Sequence, residues 1–194
     1  TRDQALEIVK KYVKNENLRR HMLAVEASMA KYFQYFAKDE GQGTKDEGDI
    51  GTEEDWKIVG LLHDFDWEIH PTLEEHPQKG EEILADLGVP EHLRRAILSH
   101  AEHTGVPRIS LMEKTLFAVD ELSGLIIAVA LMKGRKLENV AVESVLKKFK
   151  QKSFAAGVNR QDVEQGAKDL GVSLEKHVEI VLEGMKKIAP ELGL

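Results

Sequence analysis

The residues from Leu111 to Met132 constrain this chain more than any others. They read as one central helix closed by Gly134, with Leu116, Phe117 and Val119 followed by a nearly unbroken apolar run over 122–131, yet Asp120 and Glu121 stand in the middle. A helix that is apolar almost all round belongs in a protein interior, and an ionised carboxylate there is strongly unfavourable without a partner. The stretch 115–132 is interrupted by those two acids and is short for a comfortable bilayer crossing, so no membrane segment is expected. The same conflict recurs at the end of a second apolar helix, 56–64 (WKIVGLLHD), where His63 and Asp64 occupy positions that an ordinary core gives to Leu or Ala. These polar groups need each other or a cation.

The rest of the pattern is helical too. Leu6, Val9 and Val13, with Asp3 as cap, mark a short first helix; Leu18, Met22, Val25, Met29, Tyr32 and Phe36, with Asn17 as cap, mark a long second one. Residues 39–55 hold four glycines and eight acids against one lysine, which predicts a mobile surface loop, and the acids lack the ligand spacing of an EF-hand calcium loop. Helices are expected over 80–87 and 90–100, separated by Gly88 as a left-handed stop, and a loop over 104–110. A basic amphipathic helix over 141–152 and a connector over 153–158 lead to a helix capped by Asn159 and running to Leu170. Ser173 caps a last helix whose stripe of Leu174, Val178, Val181, Met185, Ile188 and Leu192 packs on the core or on a second copy in a homodimer. No strand pattern and no repeat stands out. The expected fold is all-α, a single domain over 1–194 with a motif-bearing core at about 15–130 and a helical extension at about 135–194.

Composition narrows the chemistry. The 194 residues carry 34 acids against 27 basic residues, a net charge of -7, which is not the footprint of a protein that binds duplex nucleic acid or an anionic membrane. There is no cysteine, which removes disulfides, thiol nucleophiles, iron–sulfur clusters and cysteine zinc sites. The polar start of the chain lacks the basic-then-apolar order of a signal peptide, so a cytoplasmic protein is expected. A metal would have to use histidine and carboxylate. His21 sits at the edge of the core-facing stripe of the second helix, so His21, His63, Asp64 and Asp120 are four candidate ligands on three buried helices. That donor set suits one or two divalent ions among Fe, Mn, Co, Ni, Zn or Mg; a buried hydrogen-bonded network without metal is the alternative. His70, His92 and His177 lack motif context and are expected at the surface, His103 at the surface or facing the pocket. The run Lys147–Lys152 is expected to be a solvated helix face.

The order His21, His63-Asp64, Asp120 resembles the HD superfamily of metal-dependent phosphohydrolases, all-α proteins named for the doublet. His76-Pro77 followed by Gly80, and His100 after Ala96-Ile97, resemble the two further histidines of binuclear members, among them diadenosine tetraphosphatases, and LMEKTLFAVD at 111–120 resembles the Asp-bearing helix of that branch. The whole chain, including KSFAAGVNR at 152–160, is similar to small HDIG-type bacterial hydrolases. HDFDWE stands where the cyclic-dinucleotide phosphodiesterase branch has HDIGK and no GYP segment follows His100, which disfavours cyclic-di-GMP. The resemblance implies an HD-domain helical bundle with additional C-terminal helices, an ion on His21, His63, Asp64 and Asp120, and a second on His76 and His100 with Asp64 as bridge. His76 as a solvated residue before a helix start, and His100 as an ordinary core histidine, are the competing readings. The implied reaction is attack of activated water on a small, nucleotide-like phosphate ester or anhydride. Asp64 is central to it, Asp66 and Glu68 orient the water or a ligating imidazole, Lys114 meets a phosphate, and Arg20 and Arg160 are further phosphate contacts. A sensor that binds metal or nucleotide without turnover remains the alternative.

Overall fold

Side-chain caps set most of the helix starts. The computed structural model describes residues 1–39 and 50–194; residues 40–49, the greater part of the acidic stretch and of its calcium-loop reading, lie outside the described residues. α1 (Arg2–Tyr12) starts at Thr1, whose hydroxyl and the Gln4 side chain form a reciprocal capping box. Asp3, expected as the cap, lies inside the first turn instead. α2 (Glu16–Asp39) is capped by Asn15, which accepts from the amides of Asn17 and Leu18 at 2.9 and 3.3 Å, so Asn17 is a recipient of the cap and not the cap itself. Thr52 with Asp55 opens α3 (Glu53–Leu62), and Ser110 with Glu113 opens α6 (Leu111–Met132). Asn159 and Ser173 cap α8 (Arg160–Asp169) and α9 (Leu174–Lys187) as the sequence indicates. α4 (Gln78–Asp86), α5 (Glu91–Ser99) and α7 (Val142–Phe149) complete the main set, with 3-10 turns at Glu102–Thr104 and Leu137–Asn139. The last stripe does not run unbroken: Pro190 cannot continue a helix, so α9 stops at Lys187 and α10 (Ala189–Leu192) follows.

Among the described residues there is no strand. α2 is the central strut, packed against α3, α6 and α9, while α8 covers α6. Three glycines permit the closest of these approaches. A Cβ on Gly60 of α3 would lie 2.8 Å from the Glu26 Cα of α2, one on Gly184 of α9 would lie 2.7 Å from the Ala27 carbonyl oxygen of α2, and one on Gly166 of α8 would lie 2.5 Å from the Ala118 Cα of α6. The stripe of α9 faces inward: Val178, Val181 and Met185, followed by Leu192 of α10, are buried in the same core as α2 and α6. α6 is long and apolar enough to cross a membrane by length and composition, contrary to the sequence reading, but 61% of that window is buried inside the fold, as in a core helix.

His177 corrects another expectation. It is fully buried, its Nε2–H donating to the Ala118 carbonyl at 2.9 Å and its Nδ1 accepting from the Tyr32 hydroxyl at 2.5 Å. With both nitrogens occupied, the neutral ring joins α2, α6 and α9. His92 is exposed, as expected, and His70 is half-buried.

Burial pushes His177 down to about 4. The ring stays neutral in the fold while the unfolded chain takes up a proton below about pH 6.5, so stability is complete above that pH and is lost as pH falls toward 4, by about 3 kcal/mol. Denaturant unfolding at pH 7 and pH 4 is expected to show that loss in the wild type and a correspondingly smaller one in His177→Gln. An equal acid loss in both proteins would contradict it.

Candidate metal centre

The expected ligands converge. His63 closes α3 as its C-terminal cap and is fully buried, Asp64 follows it, and Asp120 comes from the middle of α6. His21 of α2 places Nε2 2.9 Å from Asp120 Oδ1, 3.2 Å from His63 Nε2 and 3.8 Å from Asp64 Oδ2. His63 Nε2 lies 3.4 Å from Asp64 Oδ2 and 3.5 Å from Asp120 Oδ1. The other Asp64 oxygen faces a second pair: Oδ1 is 3.3 Å from His76 Nε2 and 3.6 Å from His100 Nε2, and those two nitrogens are 3.4 Å apart. Two ligand groups, His21–His63–Asp64 and Asp64–His76–His100, therefore share one carboxylate. Ligands on bonds of about 2.1 Å are separated by about 3.0 Å in an octahedron and about 3.4 Å in a tetrahedron, and the observed spacings fall around those values. His76 and His100 are buried and cluster-facing, neither solvated nor an isolated core residue.

The tautomers sharpen the case for a cation. His63 donates Nδ1–H to the Gly60 carbonyl at 2.9 Å, His100 to the Ile97 carbonyl at 2.5 Å, and His76 to Asp66 Oδ1 at 2.8 Å. With the proton held on Nδ1, each neutral ring turns an Nε2 lone pair toward the centre. At His76 and His100 these lone pairs face each other and a carboxylate oxygen, an arrangement that repels unless a proton or a metal ion lies between. The electrostatics agree. Burial alone would pull His63 down, but the Asp64 and Asp120 carboxylates outweigh it and hold its pKa well above the usual histidine value. Burial likewise works against charge on His76, yet Asp64 and Asp66 lift it to about 9. Desolvation opposes ionisation of Asp64 and Asp120, and the facing imidazoles, His63 foremost, override it and push both carboxyls below their ordinary range. The cluster demands positive charge at its centre.

The neighbours divide into supports and bystanders. Asp66 is fully buried, one oxygen on His76 and the other accepting from the Gly80 amide at 3.0 Å, so it orients an imidazole and has no free oxygen turned to a reacting water. Gly80 is needed there because a Cβ would stand 2.5 Å from the Asp66 Cγ. Glu68 is not part of the site: it accepts from the amides of Lys14 and Asn15 at 2.7 and 2.9 Å and fastens the α1–α2 turn. Arg20 donates to the Leu192 carbonyl and to the Asn17 side chain, and Arg160 gathers the carbonyls of Phe154, Ala155 and Val158, so both clamp backbone segments. His103 is exposed, its Nε2 donating to the His76 carbonyl at 2.8 Å. Lys114 is half-buried six residues before Asp120, which puts it about 120° round the α6 axis and about 9 Å along it. Arg108 carries no sequence signal, standing alone in a loop. Its guanidinium lies 3.8 Å over the Phe117 ring, one turn before Asp120, and donates to the carbonyl of Ser99, the neighbour of His100. It also pairs with Glu102 at 3.2 Å, so its charge is partnered and its side chain is fixed between the α5 end and α6.

Comparison with protein-family models, curated proteins and solved structures finds no match to this chain.

The Gly80–Asp66–His76 contact separates the two ligand groups experimentally. Gly80→Ala is expected to displace Asp66, lower affinity for the ion on His76 and His100 by about 10- to 100-fold, and leave an ion on the His21 side. Elemental analysis after dialysis against limiting metal checks it, with two ions per wild-type chain and one per variant chain as the expected counts. Equal counts in both would contradict it.

Proposed function

We propose that this chain is a metal-dependent phosphohydrolase of the HD kind, acting on a small phosphate ester or phosphoanhydride. The observation that carries the reading is the division of Asp64, one oxygen toward His21 and His63 and the other toward His76 and His100. His21, His63, Asp64 and Asp120 would hold one divalent ion, and His76, His100 and Asp64 a second. Ions held there supply Lewis acidity toward a phosphoryl oxygen and a water that ionises near neutral pH.

The remaining work falls to the chain. The side chains of His21, Asp64 and Asp120 are 20%, 19% and 25% exposed while His63, His76 and His100 are almost closed off, so a substrate reaches the cluster across the first three. Asp66 and the carbonyls of Gly60 and Ile97 keep three imidazoles in the tautomer that ligates. Arg108, held by the Ser99 carbonyl and paired with Glu102, is one candidate for contact with a phosphate oxygen, and Lys114 is a second. The excess of acids disfavours a long polyanion, whereas a centre that demands cations draws a single phosphate group locally.

The expected result is hydrolysis of members of a phosphate ester and nucleotide panel that stops on chelation and returns with a divalent ion. Asp64→Ala is expected to lower turnover by at least about a hundred-fold. Lys114→Ala is expected to raise KM with metal content unchanged. Wild-type turnover by Asp64→Ala on the best substrate would overturn the mechanism.

A further inference from the structure

The segment 65–76, between α3 and α4, carries exposed apolar side chains, one of which lies against the His/Asp cluster. Trp67 is 38% exposed, Ile69 41% and Leu73 58%. Among the six Phe, two Trp and three Tyr of the chain, all within the described residues, Trp67 alone is exposed. A single exposed apolar residue is ordinary; the placement of this one is not. Its ring meets that of His76 at a centroid distance of 4.9 Å and an interplanar angle of 88°. His76 is itself held by Asp66, the residue before Trp67, and the Trp67 amide donates to the Asp64 carbonyl at 3.1 Å. The indole is thus pinned at both backbone and ring next to the candidate ligand cluster, with part of its surface open to solvent.

A flat aromatic surface beside a site that draws phosphate matches a molecule carrying both a phosphate and a planar ring. Stacking on an indole is strong and tolerant of base identity, because every base has a π-face. We infer that Trp67 is a stacking platform that selects substrates whose phosphate is joined to a nucleoside over those joined to a bare sugar. The inference rests on the phosphohydrolase reading and adds to it the residue that would discriminate a nucleoside from a bare sugar.

Two probes differ only in the base: adenosine 5′-monophosphate and ribose 5-phosphate. In metal-loaded wild type, adenosine 5′-monophosphate is expected to quench the exposed, red-shifted component of tryptophan emission, the buried Trp56 leaving the remainder, whereas ribose 5-phosphate does not. Trp67→Leu is expected to lose the quenching and to raise KM for the nucleotide about ten-fold with kcat little changed, to leave the sugar phosphate unaffected, and to keep wild-type metal content; Trp67→Phe restores part of the KM. Absence of quenching, an equal KM change for both probes, or a fall in metal content that makes Trp67 a mere prop for His76 would each overturn the platform. Hydrolysis of both probes without quenching would leave the phosphohydrolase reading standing, and quenching without hydrolysis of either would reject that reading while the platform stands.

Discussion

The sharing of the Asp64 carboxylate between two sets of imidazoles is the interaction on which the arrangement depends. Three of the four rings have their Nδ1 protons committed to Gly60, Ile97 and Asp66, so their Nε2 atoms point inward and present lone pairs whenever the rings are neutral. Six candidate ligand side chains drawn from α2, the α3 end, the α4 approach, the α5 end and α6 meet with imidazole nitrogens and carboxylate oxygens 2.9 to 3.8 Å apart. Helix packing alone would not hold such groups together, since each pair of lone pairs repels. Positive charge at the centre turns the same geometry from repulsive to attractive, and the raised histidine and lowered aspartate pKa values are two expressions of that demand.

The fold supplies this geometry through a few close contacts that do two things at once. Gly60 lets α3 touch the α2 backbone at Glu26, which brings the helix of His21 against the helix that ends in His63, and the same Gly60 carbonyl fixes the His63 tautomer. Gly80 leaves the space in which Asp66 sits and gives it an amide proton, and Asp66 in turn holds His76. Arg95 pairs with Glu113, and Arg94 with Glu81, tying α5 to the start of α6 and to α4. His100 therefore keeps its place relative to Asp120 and to His76.

Much of this is legible in one dimension because it is local. The helices show as steps of three and four, and the candidate ligands show as polar residues where burial would otherwise exclude them, as at His63-Asp64 and Asp120. What stays hidden is pairing across distance. Glu68 looks like a neighbour of the doublet, yet its partners are amides at Lys14 and Asn15. His177 lies three residues after Leu174 and four before Val181, so its place on the inward stripe is visible, but a buried neutral imidazole is tolerable only because Tyr32 and Ala118 reach it from α2 and α6. Arg20 and Arg160 likewise have the charge of phosphate ligands and the partners of backbone clamps. The Asp3 and Asn17 misassignments are smaller: a cap serves amides two or three residues ahead, and here Thr1 and Asn15 stand at those offsets.

The most direct measurement of the central claim is anomalous scattering from crystals grown with a divalent transition metal. The expected map has two peaks about 3.5 to 4 Å apart, one within bonding distance of His21, His63, Asp64 and Asp120, the other within bonding distance of His76, His100 and Asp64. A map with no peak at Asp64, and with His76 and His100 hydrogen-bonded through a shared proton or water, would contradict it.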